Sequence, residues 1–336
     1  MPNSLPLVQQ NTYKSERPKV SVCCITYNHR KFIEQCIAGI LTQETDFRVE
    51  ILIHDDASTD GTSQIVRRYA EQYPHLIKCI CQEVNQYSKG ERAFPRLIAQ
   101  SKGDYIAFCE GDDFWNCSRK LQDQAKFLAE NQEYAICFHD TDMVDEDGKL
   151  ISGSLLDRAV AETPVYTAED IIGGKQIPTL SAMFVNRPIR FVRQYFSITN
   201  EDNYIFSMLS EYGNAYKIEG NRGSYRRHGG GVWSSMPQCQ QRLAAMASKR
   251  AITIGISSQY RSFAAFRYGR HAARTFLFSL ALLEIKPAAK SLLHYLESLV
   301  LCLFYSLHYH KGPIAGMARF ASLLIPPARL LSRSSK

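Results

Sequence analysis

From Lys19 to about Asp140, short β-branched runs alternate with helical patterns, and this alternation limits the possible folds more than any other feature of the chain. Val20-Ser-Val-Cys-Cys-Ile-Thr26, Val49-Glu-Ile-Leu-Ile-His54, Leu76 to Cys81 and Asp104-Tyr-Ile-Ala-Phe-Cys109 read as strands. Helical spacing covers Lys31 to Leu41, Ser63 to Tyr73 and a stretch around Arg92 to Ser101. Strands that alternate with helices predict an α/β chain with a mostly parallel sheet and helices on both faces. Ligands of such sheets gather at the carboxyl ends of the strands, so the residues just after each strand matter most. After the first strand comes Tyr27-Asn28-His29, after the second Asp55-Asp56-Ala57-Ser58-Thr59-Asp60-Gly61-Thr62, and after the fourth Glu110-Gly111-Asp112-Asp113-Phe114-Trp115. Three polar clusters therefore converge on one rim.

The rest of the chain is read from charge and punctuation. Residues 240–336 carry fourteen Lys or Arg against Glu284 and Glu297, a net of +12, so the remainder holds −5 of the overall +7. An acidic front with a basic tail suggests a carboxylate-rich site and a tail facing something anionic. No helix-turn-helix, zinc finger or RNP-like signature accompanies the tail, which argues against nucleic acid and for a phospholipid surface. Helices packed on the rest of the protein with a solvated basic face account for the tail equally well. Its longest apolar run, Leu299 to Tyr305, is far shorter than the roughly 20 residues a membrane span needs. The ten cysteines never fall in a CxxC spacing and read as reduced core thiols. Met1 to Arg17 is polar with two prolines and lacks the pattern of a secretory signal, which predicts a poorly ordered, unexported arm.

Each rim cluster has a structural and a chemical reading. Three carboxylates in Glu110-Gly-Asp-Asp113 repel one another, and a divalent cation would relieve the repulsion while holding a diphosphate. All-oxygen ligands favour magnesium or manganese over zinc. An acidic turn capping the helix from Arg119 to Ala129 would use the same residues. Ser58 to Asp60 suit a helix cap, whereas the doubled carboxylate Asp55-Asp56 is not explained by capping. Thr26 to Arg30 holds no GxGxxG, which argues against a dinucleotide-binding dehydrogenase.

These clusters resemble glycosyltransferase family 2, the inverting transferases of GT-A fold, in their bacterial surface-polysaccharide branch. The likeness runs from Val20 to about Trp233. It rests on Ile25-Thr-Tyr-Asn28, Asp55-Asp-Ala-Ser-Thr-Asp-Gly61 and Gly103-Asp-Tyr-Ile-Ala-Phe-Cys-Glu-Gly-Asp-Asp-Phe-Trp115 in order and spacing. By that resemblance Thr26, Tyr27 and Asp56, with Asn28 beside them, bind the nucleobase side of a nucleotide-sugar. Asp112 serves the ribose and metal region and Asp113 holds the metal, Mn2+ or Mg2+. Asn200-Glu201-Asp202 resembles the family's acidic pair, with Asp202 as catalytic base and Glu201 beside it. Tyr225-Arg-Arg-His-Gly-Gly-Gly-Val-Trp233 resembles the loop that closes over the donor, placing Arg226 or Arg227 against the leaving group and His228 on the metal or phosphate. Trp115 is placed to pack near the sugar, although core packing explains it almost as well. The Gln-x-x-Arg-Trp motif of processive members is missing, which argues for one sugar per encounter.

The resemblance implies a Rossmann-like GT-A catalytic domain over 18–237, between an arm over 1–17 and a basic helical C-terminal extension over 238–336. The expected activity is inverting transfer of a hexosyl or N-acetylhexosaminyl group from a nucleotide-sugar, by default a UDP-sugar, to the hydroxyl of a glycan or lipid-linked glycan. The expected place is the cytoplasm, including the inner face of the plasma membrane. A nucleotidyltransferase and a non-catalytic glycan-binding protein of the same fold are the competing readings.

Overall fold

The computed structural model describes residues 5–9, 17–156, 163–282 and 285–309. Most of the expected arm and the final stretch of the basic extension, 310–336, lie outside them. The chain divides into two compact units, one of Met1–Phe191 with Ile205–Ser235 and one of Val192–Tyr204 with Met236–Lys336.

The first unit is built on an eight-stranded sheet. Its order is Val165–Tyr166, Asn214–Lys217, Tyr134–Phe138, Met183–Val185, Tyr105–Phe108, Val20–Thr26, Val49–Asp55 and Ile77–Cys81. The last four strands are mutually parallel, with Val20 opposite both Val49 and Tyr105. Helices Ile33–Leu41, Thr62–Gln72 and Ala93–Gln100 make the crossovers. Six of the seven residues of Val20–Thr26 are buried, because a parallel strand covered on both faces has no solvent side. Counted along the sequence the four parallel strands lie in the order 3-2-1-4, so the direction of winding reverses between Val20–Thr26 and Tyr105–Phe108. A crevice at the carboxyl ends opens at such a reversal.

Two features do not follow from the alternating pattern. Met183–Val185 enters the sheet antiparallel to both of its neighbours. A small second sheet aligns Leu150–Ser152, Asp142–Val144, Gly223–Arg226 and Phe114–Trp115. Its pairing of Gly223 with Trp115 and Ser224 with Phe114 brings the chain at Arg226–His228 back beside Asp112–Asp113. At the other end, Leu5–Pro6 pairs antiparallel with Glu44–Thr45 and Leu7 is buried. These few residues of the expected arm are thus docked, through an apolar contact too short to register as a pattern.

The second unit is helical, with Gln238–Gly255, Ser258–Ala281 and Ile285–Tyr309 as its long helices. Met246, Tyr268 and Ala272 form an apolar centre. Arg250 Nε lies 2.7 and 2.9 Å from the two carboxylate oxygens of Glu297, whose Oε2 also accepts the Tyr268 hydroxyl at 2.8 Å. Among the described residues no helix is long and apolar enough to cross a membrane.

One core residue of the first unit works against stability. Lys120 is fully buried, its ammonium 4.1 Å from the centre of the Trp115 ring and 2.8 Å from Gln124 Oε1. Burial pushes its amine down to about 7 from 10.5. Between those two values the unfolded chain holds one more proton than the native one, so stability rises with pH across that window. We predict that Lys120→Met raises the unfolding free energy near neutral pH by about 1–4 kcal/mol. It also flattens the rise toward alkaline pH. Urea titrations of both proteins across this range would show it, and a less stable Lys120→Met at neutral pH would contradict it.

Candidate functional site

The rim is assembled by polar groups that first satisfy one another. Asn28, just past the first strand, has a φ of 56°, a left-handed conformation that Asn tolerates better than most residues. In that pose its N–H donates to Ser58 Oγ at 2.8 Å and its Oδ1 accepts from Thr59 N at 2.9 Å, which laces the first rim loop to the second. Buried Asp55 accepts from the hydroxyls of Ser58 and Ser63. Asp56 accepts the backbone N–H groups of Gln86 and Tyr87 at 2.7 and 3.0 Å. Asp60 accepts from Thr62 N and Arg30 N. Tyr27 stands 45% exposed at this edge, while Thr26 beside it is buried.

The turn Glu110–Asp113 closes against the end of the first strand, with Gly111 N donating to Ile25 O at 2.9 Å. A Cβ on Gly111 would sit 2.6 Å from Thr26 Oγ1 and 3.1 Å from His29 Nδ1, so the approach requires glycine. The two aspartates that follow face different surroundings. Asp113 is buried and its Oδ1 accepts Arg226 N–H at 2.8 Å. Burial, and then the neighbouring charges of Asp112 and Glu110, push its carboxyl well above the usual range. Asp112 Oδ2 accepts from His228 Nε2 at 2.9 Å and lies 3.7 Å from His29 Nε2. Burial alone would raise Asp112, but the His228 hydrogen bond and the fields of both imidazoles outweigh it and hold the carboxyl below its ordinary value. Burial keeps His29 below its ordinary value despite Asp112.

His29, Asp112 and His228 each offer a donor atom, and the three atoms lie within 4.8 Å of one another, an arrangement able to hold a metal ion. Asp113, expected from the family likeness to hold the metal, is not among the three. Sequence spacing cannot tell which of two adjacent carboxylates turns inward, and the pairing with Gly223–Arg226 decides it. The set also includes His29, which reading by motif passed over. Its position three residues beyond a strand's carboxyl end was the available signal. Thr26 Oγ1, His29 Nδ1 and Asp113 Oδ2 are buried without a hydrogen-bond partner. Buried polar atoms left this way are uncommon and mark a place where a ligand, ion or water belongs.

Other expected residues fall in various settings. Arg226 is buried, its guanidinium near the rings of Phe32 and Phe114, and it donates to the carbonyls of Asp112, Asp145 and Glu146 and to Gln35 Oε1. Arg227, by contrast, is exposed. Trp115 is 3% exposed and its indole N–H donates to Leu180 O at 2.8 Å, which places the ring in the core. Glu201 and Asp202 open the helix Glu201–Leu209 and fall in the second unit. Glu201 is buried and accepts the hydroxyl of Tyr195, whereas Asp202 is half-buried.

Residues 21–166 match the family model for glycosyl transferase family 2. An uncharacterized protein of Mycobacterium tuberculosis is 30% identical over 217 residues, which are 64% of this chain and 61% of that protein. The chain thus aligns with about three-fifths of the length of that relative. Among solved structures, TarS of S. aureus in complex with UDP-GlcNAc superimposes with a TM-score of 0.60 at 19% identity, covering 91% of this chain and 89% of that one. The mannosyltransferase PcManGT of Pyrobaculum calidifontis, in complex with GDP-Man and Mn2+, gives a TM-score of 0.50 at 15% identity, over 93% and 86% of the two chains. At such identities the likeness is one of fold, a mostly parallel GT-A sheet flanked by helices. The match to the model for glycosyl transferase family 2 thus covers the very strands that carry the first two rim loops and the acidic turn.

Proposed function

We propose that the chain transfers a sugar from a nucleotide-sugar to an acceptor hydroxyl with inversion, in the building of a bacterial surface polysaccharide. The observation that carries this reading is the Asp112–His228 pair, with His29 beside it, at the sheet's reversal point. It stands in a family 2 domain whose fold is shared by proteins solved with UDP-GlcNAc and with GDP-Man and Mn2+. The donor is a UDP-sugar and the sugar a hexose or N-acetylhexosamine, both by family likeness.

Each residue then has a task. Exposed Tyr27 lies against the base, while Thr26, Asn28 and Asp56 shape the loops that receive the nucleoside. Asp112 and His228 hold a divalent cation, Mn2+ or Mg2+, which when bound offsets the charge of the departing diphosphate. Arg227 adds positive charge on the same side, since Arg226 is committed to backbone carbonyls. Asp202 takes the proton of the acceptor hydroxyl as that oxygen bonds to the anomeric carbon and the anomeric C–O bond to the diphosphate breaks. Glu201, bound to the Tyr195 hydroxyl, steadies the start of that helix rather than moving the proton.

The acceptor is a glycan or a lipid-linked glycan. The second unit exposes Leu277, Leu280, Leu282, Ile285, Leu293, Leu296 and Val300. With the +12 charge of residues 240–336, these suit the surface of an anionic bilayer. Flotation with vesicles should recover the chain on phosphatidylglycerol-containing lipid and not on phosphatidylcholine alone. Recovery on neither, or dimerisation in place of binding, would remove the membrane from this reading.

Incubation with a panel of nucleotide-sugars is expected to release nucleoside diphosphate. Release of pyrophosphate would instead mean nucleotidyl transfer. Asp202→Asn should lower kcat by about 10²–10⁴-fold with little change in donor KM. An unchanged kcat would take the base away from Asp202.

A further inference from the structure

The geometry points to His29 as a third protein ligand of the cation, and so to a site that selects first-row transition dications such as Mn2+ and Co2+ over Mg2+. This rests on the reading that the rim holds a metal for sugar transfer, and it extends that reading to a residue and a selectivity. Three separate pieces of chain supply the donors: the loop after Val20–Thr26, the turn after Tyr105–Phe108 and the end of Gly223–Arg226. His228 Nε2 and His29 Nε2 both face Asp112 Oδ2, at 2.9 and 3.7 Å. Ligand atoms at about 2.0–2.2 Å from one ion stand roughly 3 to 4 Å apart, so small side-chain movements suffice for an ion to replace the His228–Asp112 hydrogen bond.

A core histidine with a structural role would spend its ring nitrogens on neighbours, and His29 does not. Its Nδ1 is buried without a partner, and its Nε2 is too far from Asp112 for a hydrogen bond. Its surroundings supply what a ligating imidazole needs. An imidazole that binds metal through one nitrogen carries its proton on the other, which requires an acceptor. Thr26 Oγ1, itself buried and unpaired, crowds the same face of Gly111 as His29 Nδ1, the two lying 2.6 and 3.1 Å from where a Cβ would stand. Ligation through Nε2 would thus give both orphaned atoms a use at once.

The donor set decides the metal. Mg2+ binds oxygen and keeps its waters, whereas the first-row transition dications also accept nitrogen donors, Co2+ more strongly than Mn2+. A carboxylate with two imidazoles is therefore a poor magnesium site, unlike the all-oxygen quartet that Glu110–Asp113 suggests as sequence. Asp113, tied to Arg226 N, stands outside the set.

Binding of MnCl2, CoCl2 and MgCl2 to the full chain without nucleotide, followed by calorimetry, tests this. We expect one Mn2+ or Co2+ per chain and Mg2+ bound at least about tenfold more weakly. Pulsed EPR of the Mn2+ form should show couplings from two imidazole nitrogens in the wild type and from one in His29→Gln, with Mn2+ affinity reduced about 10–100-fold. Thermal melts of the metal-free proteins serve as the folding control, and the nitrogen count in the wild type needs no variant. Equal affinity for Mg2+ and Mn2+, or one nitrogen coupling in the wild type, would overturn the assignment. A chain that binds Mn2+ in this way but releases no nucleoside diphosphate would refute the sugar-transfer reading while leaving the site intact. A chain that transfers sugar but shows one nitrogen would do the reverse.

Discussion

The hydrogen bond from Arg226 N to Asp113 Oδ1 joins the small sheet to the large one, and the geometry of the rim depends on it. It holds the turn Glu110–Asp113 from one side, while Gly111 N on Ile25 O holds it from the other. Between these restraints two adjacent carboxyls are driven in opposite directions. Asp113, inside, is pushed up by burial and by its acidic neighbours; Asp112, half-buried and turned toward two imidazoles, is held down.

Arg226 shows how charge can mislead when read along the chain. In Tyr225-Arg-Arg-His-Gly-Gly-Gly the two arginines look equivalent, yet one is a buried post and the other is exposed. The post donates to carbonyls from three residues and to Gln35, with Phe32 and Phe114 near its guanidinium. A guanidinium offers five donors in a fixed fork, so it can tie several loops together where an ammonium could not. Much of the rim's polarity is spent likewise: Asp55, Asp56, Asp60 and Asn28 chiefly hold the loops to one another.

The parallel half of the sheet was legible because its signal is local and repeated. Strand runs at Val20, Val49, Leu76 and Asp104, each ending in polar residues, needed no partner to be recognised, and the helices between them agree within a few residues. The insertion of Met183–Val185 and the small sheet were not legible. They are short segments whose pairing is set by register with distant strands, and three or four residues carry too little periodicity to announce it. Trp115 illustrates the same limit, since an aromatic after an acidic turn suits a sugar platform or a core, and the bond to Leu180 O places it in the core.

By itself, then, the sequence determined the α/β class, the parallel strands, the rim on which function gathers and the family likeness, because all of these depend on neighbours close in the chain. The tertiary structure alone decided which carboxylate turns inward, that Arg226 is structural, and that His29 meets Asp112 and His228. Those outcomes depend on contacts between residues roughly 80 to more than 110 positions apart, such as His228 with Asp112, and no pattern within a strand or helix encodes a distance of that kind.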